Sequence, residues 1–399
     1  MKKRVYLSAP ALVCCAGQNR NELYQSCLTG YQGGFIKHAL SESGVKYPAG
    51  IIVRELPEVS VPEPLAYTGK TKIIRIINEA LEQLRPVFEK AVVQYGPHRI
   101  GVCLGSCDIG SESTFLAQHV LFNENAPPEN YNLHFQSASY SAEFIAQKFG
   151  VSGPSFCIAT ACASGANAMI RGAELIQGGI CDAVIAGGAD AVTNTVFAGF
   201  HALEAISDEL TNPFSKNRKG INLGEGAGFF LLEAEKNSNV ELLGFGESVD
   251  ACHMTAPGTD GTGPAKAMEA ALLNAGISGD QIGYVNLHGT GTELNDKAEF
   301  LAMKIIFGDA PPPFSSTKPI TGHTLGAAGA LEAAICWMVL NEQKGLPVHC
   351  WDGVSDEEIP FIPVSISDNN SDRKPPSVCM SNSFGFGGCN ASLILSRCS

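Results

Sequence analysis

Ser155-Phe156-Cys157-Ile158-Ala159-Thr160-Ala161-Cys162-Ala163-Ser164-Gly165-Ala166 is a short apolar run that stops in a turn of small residues and then becomes a helix. The run before the turn reads as a buried strand. From Ala163 to Gln177 apolar residues recur at helical spacing, at Ala166, Met169, Ile170, Ala173 and Ile176. A strand feeding a helix through a tight turn is a building unit of α/β proteins, and here the turn sets a thiol at the helix N-terminus. The helix dipole and free backbone N–H groups are expected to favour thiolate over thiol there. A buried structural cysteine would have the same neighbours, so the thiol alone leaves packing and catalysis open.

The same alternation continues along the chain. Gly69 to Ala91 reads as an amphipathic helix, with Ile73, Ile74, Ile77, Leu81, Leu84 and Phe88 on one side. Leu325 to Leu340 is apolar on nearly all faces and is expected to be buried in the middle of a large body. Asp296 and Glu299 read as a capping-box pair ahead of Phe300. Short apolar strands are expected at Cys181 to Ala186, Phe229 to Leu232, Tyr284 to Leu287, Val378 to Ser381 and Ser392 to Leu395. Gly224-Glu225-Gly226-Ala227-Gly228 resembles a dinucleotide turn, but it opens onto a strand rather than a helix, which excludes a nucleotide site.

Composition narrows the function classes. Apolar residues make up 45% and charged residues 17% of 399, enough for a large core and too little charge for disorder. The 43 glycines gather in turns beside strands, as suits a backbone that approaches a ligand closely. The 14 cysteines are scattered, several inside apolar runs, and read as reduced thiols of a cytoplasmic protein rather than a disulfide framework. Neither Cys-x-x-Cys nor His-x-x-x-His spacing occurs, so no structural metal is expected. Lys2-Lys3-Arg4 precedes an apolar stretch interrupted by Pro10, which reads as a first core strand rather than a signal peptide. With no run of 18 apolar residues, no membrane span is expected. A net charge of −13 argues against nucleic-acid binding.

Two glycine-flanked histidines complete the inventory of a nucleophilic acyl-transfer site, in Asn286-Leu287-His288-Gly289-Thr290-Gly291-Thr292 and in Lys318-Pro319-Ile320-Thr321-Gly322-His323-Thr324-Leu325-Gly326. Together with Thr160-Ala161-Cys162-Ala163-Ser164-Gly165, Cys181-Asp182-Ala183-Val184-Ile185-Ala186-Gly187-Gly188-Ala189-Asp190, Asn222-Leu223-Gly224-Glu225-Gly226-Ala227-Gly228 and Ser381-Asn382-Ser383-Phe384-Gly385-Phe386-Gly387-Gly388-Cys389-Asn390, they make the chain resemble the elongating, thiolase-related β-ketoacyl-acyl-carrier-protein synthases from Arg4 to Leu395.

That resemblance implies a thiolase-like α/β/α/β/α body of two similar halves, residues 1–240 with the nucleophile and 241–399 with the two histidines, paired into a homodimer or a heterodimer with a related ketosynthase-like subunit. It implies acyl transfer from a carrier-protein thioester to Cys162, then attack by the carbanion of decarboxylated malonyl-carrier protein, with no cofactor and no metal. His288 and His323 would stabilise the enolate, and the N–H groups of Cys162 and Phe386 would form the oxyanion hole. Lys318 would tune His323 or the local field with Glu332 as its charge partner, while Thr290 and Thr292 would hold the phosphopantetheine arm. Phe384 and Phe386 would gate the acyl pocket.

Two departures stand out. Asp108 falls where relatives line the acyl pocket with an apolar residue, and Asn212-Pro213-Phe214-Ser215 falls where they usually carry an arginine that grips the carrier protein. Both point towards a specialised polyketide or aryl polyene pathway as an alternative to fatty-acid synthesis. Lys70, Lys72 and Arg75, or Lys216, Arg218 and Lys219, are the candidate docking patches for an acidic carrier protein. A coenzyme A thiolase using Cys389 as second thiol, and the active subunit of a ketosynthase/chain-length-factor pair, are the competing expectations.

Overall fold

The computed structural model describes residues 3–398 apart from 40–43, 62–64, 66–67, 70, 108–109, 127, 129–130, 138, 237, 361 and 366–373. In chain order the first half comprises β1 (Tyr6–Leu7), β2 (Ala11–Cys14), α1 (Arg20–Thr29), β3 (Phe35–Ala39), β4 (Lys46–Gly50), α2 (Lys72–Tyr95), β5 (Ile100–Gly105) and α3 (Ser111–Glu124). It continues through α4 (Tyr140–Phe149), β6 (Ser155–Ile158), α5 (Ser164–Gln177), β7 (Ala183–Asp190), α6 (Asn194–Ala202) and β8 (Gly226–Glu233). The second half comprises β9 (Val240–Val249), α7 (Thr262–Ala275), β10 (Tyr284–Asn286), α8 (Glu293–Phe307), β11 (Phe314–Ser315), α9 (Lys318–Thr321), α10 (Ala328–Glu342), β12 (Val378–Phe384) and β13 (Cys389–Arg397).

The strands run β11-β10-β12-β13-β9-β1-β8-β7-β5-β6, with β2 also paired to β8. In the first half β5 pairs in parallel with β6 and β7, β7 antiparallel with β8, and β8 antiparallel with β2. In the second half β10 pairs in parallel with β11 and β12, β12 antiparallel with β13, and β13 antiparallel with β9. Strand for strand the halves have one topology, joined by β1, which pairs with both β8 and β9. The duplication that no sequence repeat reveals is plain in the pairing.

Period-2 alternation of side chains explains the layers. Val184, Ala186, Phe230 and Leu232 face a central core shared with α5 and α10, while Ile185, Phe229 and Leu231 face an outer core under α2 and α4. Val285, Met380 and Ile394 likewise face a second outer core with Met268 of α7 and Met303 of α8. The result is the five-layered α/β/α/β/α body. Because α10 lies in the middle layer, every residue from Ala328 to Leu340 is buried, which accounts for its all-round apolar sequence.

Two expectations are corrected by position. The run before Cys162 is a strand, but only half-buried, because β6 ends the strand order. Asp296 and Glu299 do not cap α8: its N-cap is Thr292, which makes no side-chain cap bond.

Equivalent connections of the two halves carry the chemistry. The β6–α5 turn holds Cys162, and the β11–α10 connection holds Lys318 and His323. Since α5 and α10 pack against each other in the middle layer, these two connections meet.

Candidate active site

Cys162 follows Ala161, whose φ of +50° lies in the left-handed region that costs a residue with a Cβ. The turn is held by Ser164, whose hydroxyl donates to Ala161 O at 2.6 Å and accepts from Thr160 N at 2.9 Å. Against this turn lies the Phe384–Asn390 segment, whose Phe386 backbone N–H is close enough to the Cys162 sulfur to favour its charged form. Gly385 has to be glycine: a Cβ there would lie 2.8 Å from Thr160 O and 3.2 Å from Cys162 N. The next turn uses Gly387 at φ +82°.

Cys162 Sγ lies 3.0 Å from His323 Nε2, and both side chains are buried. The His323 backbone is clamped by the Asn222-Leu223-Gly224 stretch, through His323 N to Asn222 O at 2.7 Å and Gly224 N to His323 O at 2.9 Å. The rings of His288 and His323 meet edge-on, 5.4 Å apart at 83°, and Phe384 packs against His288 at 5.9 Å. One potential ligand atom from each of Cys162, His288 and His323 lies within 4.8 Å of the other two.

Lys318 acts on both imidazoles: its charge lowers His323, and its side chain contacts His288. Its Nζ reaches His288 Nδ1 at 3.4 Å and the Glu332 carboxylate at 2.5 Å, with both partners of the ion pair buried. A lysine ammonium only donates, so this contact leaves the His288 hydrogen on Nε2. Burial, and then the Lys318 charge, hold both histidines well below their ordinary range, so both are neutral donors or acceptors. Burial pushes the Glu332 carboxyl up to about 7 against the pull of Lys318. Lys318→Ala would leave Glu332 buried without its partner, and is expected to cost about 3–5 kcal/mol of stability in urea denaturation. A change near zero would show the pair to be dispensable.

The expectation of a thiolate is overturned. Burial pushes the Cys162 thiol up to about 12, and outweighs the opposing pull of Lys318 and the Phe386 N–H. A group titrating that high is neutral at pH 7, and its thiolate fraction rises tenfold per pH unit. Alkylation of Cys162 by iodoacetamide, followed by peptide mass, is therefore expected to accelerate continuously from pH 6 to pH 9. A plateau beginning near pH 7 would contradict this.

The carboxylates misread as a capping pair hold the His288 loop. Glu299 accepts His288 N at 2.8 Å and Gly289 N at 2.6 Å, and Asp296 accepts Gly291 N at 3.1 Å and Phe214 N at 2.8 Å. Burial raises Glu299 to about 8 and Asp296 to about 6, in each case against the backbone donors. Ser316 closes the loop from the other side, donating to Gly289 O at 2.6 Å. Sequence reasoning missed this bracing by Glu299 and Ser316. The available signal was two carboxylates one helical turn apart just after a glycine-rich loop.

A cavity of about 420 Å³ runs from Cys162, His288 and His323 past Phe384 and Phe386 to Thr290 and Thr292, whose hydroxyls are 3.0 Å apart, and on to Arg218 and Lys219. Cys389 does not line it. Of the basic candidates, Lys72 pairs with buried Glu225 at 2.7 Å and Arg75 with Glu58 at 3.3 Å, and neither lines this cavity. Arg218 pairs with Asp356 at 2.5 Å and Lys219 with Glu209 at 3.1 Å. Asp108 and Lys70 lie outside the described residues. Phe214 is buried at φ +63°, so the Asn212–Ser215 stretch serves as a structural corner. No described helix is long and apolar enough to cross a membrane.

Residues 75–238 match the beta-ketoacyl synthase N-terminal domain and residues 240–350 its C-terminal domain. The chain is 39% identical to the 3-oxoacyl-[acyl-carrier-protein] synthase 2 of Vibrio cholerae over 75% of its length and 76% of that protein. Its identity to the protein of that description from Staphylococcus aureus is 30%, over 99% of this chain and 98% of that one. Among solved structures, the ketosynthase ApeO of Xenorhabdus doucetiae, in complex with its chain length factor ApeC, matches with a TM-score of 0.89 and 36% identity, over 99% of this chain and 98% of that chain.

Proposed function

Because the chain belongs to the β-ketoacyl synthase family, we propose that it elongates a carrier-bound acyl chain by decarboxylative condensation, using the buried Cys162–His323–His288 cluster. The 3.0 Å contact between Cys162 Sγ and His323 Nε2 carries this reading. In the first half-reaction His323 Nε2 takes the thiol proton as the sulfur attacks the acyl thioester, and returns it to the departing pantetheine thiol. The Cys162 and Phe386 N–H groups hold the oxyanion. In the second, malonyl-carrier protein loses carbon dioxide, and the enolate oxygen accepts from Nε2–H of His288, whose tautomer Lys318 fixes. Among the described residues His323 Nδ1 meets no partner. Because Nε2 takes the Cys162 proton, the resting His323 carries its hydrogen on Nδ1, and the same Nε2 then returns the proton.

On this scheme residues 1–240 supply the nucleophile and 241–399 the imidazoles, and Thr290 and Thr292 line the pantetheine arm's path. Lys216, Arg218 and Lys219 are the docking patch, Arg218 and Lys219 being the basic candidates that line the cavity. The protein works as a cytoplasmic dimer in a fatty-acid or a polyketide or aryl polyene pathway. The likeness to ApeO, solved with a chain length factor, supports a related ketosynthase-like subunit as the partner. Native mass measurement after co-expression with such a subunit separates heterodimer from homodimer. Purified protein given acyl- and malonyl-carrier protein is expected to release carbon dioxide and form a β-ketoacyl thioester. Condensation of acetyl-CoA alone would instead indicate a thiolase.

A further inference from the structure

The β3–β4 pair is separate from the main sheet, yet it packs onto the wall of the cavity. One of its contacts is with α6, a helix with a single fully buried side chain, Phe197. That ring sits between His38 of β3, at 5.3 Å and 47°, and Tyr47 of β4, at 5.7 Å and 50°. One turn on, the Tyr47 hydroxyl and His201 Nε2 are hydrogen-bonded at 2.9 Å, with their rings edge-on at 5.5 Å. The residue before His201 is Phe200, which lines the cavity and packs on Phe386 at 5.5 Å and 31°. Phe197, Tyr47 and Phe200 belong to a small apolar cluster of their own with Ala49, Leu223 and Leu325, apart from the three large cores.

A nine-residue helix with one buried anchor is held by little of its own packing. Besides the packing of Phe197, Val196 and Phe200, its side-chain hydrogen bonds are the Thr193 cap, the Glu112 contacts to Asn194 and Thr195 near its start, and the Tyr47–His201 bond at its end. Of these side-chain bonds, that last one is the one beside Phe200. We infer that Tyr47 and His201 are positioning residues for acyl-chain selection: by fixing the end of α6 they set the Phe200 ring, and with Phe386 it sets the width of the cavity beside Cys162. This rests on the ketosynthase function proposed above.

Tyr47→Phe keeps the ring against Phe197 and removes only the hydroxyl. Amide hydrogen exchange over residues 194–202, measured without substrate, is expected to quicken about 5-fold, as befits one neutral hydrogen bond. The ratio of kcat/KM between long and short acyl-carrier substrates is expected to shift by a similar factor, with Cys162 alkylation unchanged. His201→Gln, which retains a donor, is expected to stay near the parent, and Tyr47→Phe in a Phe200→Ala background to cause no further shift. Unchanged exchange over α6 would overturn the brace, and a full shift persisting without the Phe200 ring would overturn the route through it. A parent inactive with every acyl chain would overturn the condensing function, and selection with it, whatever the exchange result.

Discussion

Cys162→Ala is expected to abolish the acyl-enzyme and to lower condensation by at least about 10⁴-fold, the scale on which deleting a nucleophile acts. Among the described residues Cys162 is the one cysteine lining the cavity, so no other thiol there can substitute. The variant is expected to fold, because Cys162 sits in a turn held by Ser164 and the Gly385 approach rather than by its own sulfur. Residual turnover within tenfold of the parent, in protein with an unchanged melting temperature, would remove Cys162 from the mechanism.

The second large effect separates the two imidazoles. His323→Ala removes the group in contact with the sulfur and is expected to slow both acylation and condensation by about 10²–10⁴-fold, the usual worth of a positioned proton acceptor. His288→Ala leaves the Cys162–His323 contact in place. It is expected to preserve acylation within a few-fold while condensation falls by about 10²–10³-fold, the loss of one oxyanion donor. Quenched-flow acylation beside steady-state carbon dioxide release reads the two steps independently. Because burial and Lys318 lower both histidines, each remains neutral as pH falls through 6.5, and proton uptake begins only well below that. The acid limb of acylation is therefore expected well below pH 6. A midpoint at 6.5 would show that His323 is solvated, and equal acylation defects in the two variants would refute the division of labour.

Local physics made much of this legible in the sequence. The continuous apolar run at Phe229–Leu232 and the helical spacing at Ala166–Ile176 placed β8 and α5, because the strand is buried on both faces and the helix along its apolar side. Cys162, His288 and His323 were legible as candidates because glycine-rich turns beside strands constrain which side chains can stand there. What failed depends on contacts distant in sequence. Asp296 and Glu299 carry the local signature of a cap, yet loops folding over α8 take both carboxylates. Lys318 is five residues from His323 and its charge acts on that ring, but its Nζ also reaches His288, because β10 and β11 pair in parallel and bring the two following loops together. A helix N-terminus predicts a thiolate, and the depth of the middle layer, which no short window records, reverses it at Cys162. Phe200 and Tyr47 had no signal, because their pairing exists only once β3 and β4 lie on α6.

The most direct test is the mass of the peptide containing Cys162 after incubation with an acyl-carrier thioester. The expected result is one acyl adduct on Cys162, discharged when malonyl-carrier protein is added, with carbon dioxide and a chain two carbons longer as products. An adduct on Cys389 or another thiol instead, or condensation with Cys162 never acylated, would contradict the account.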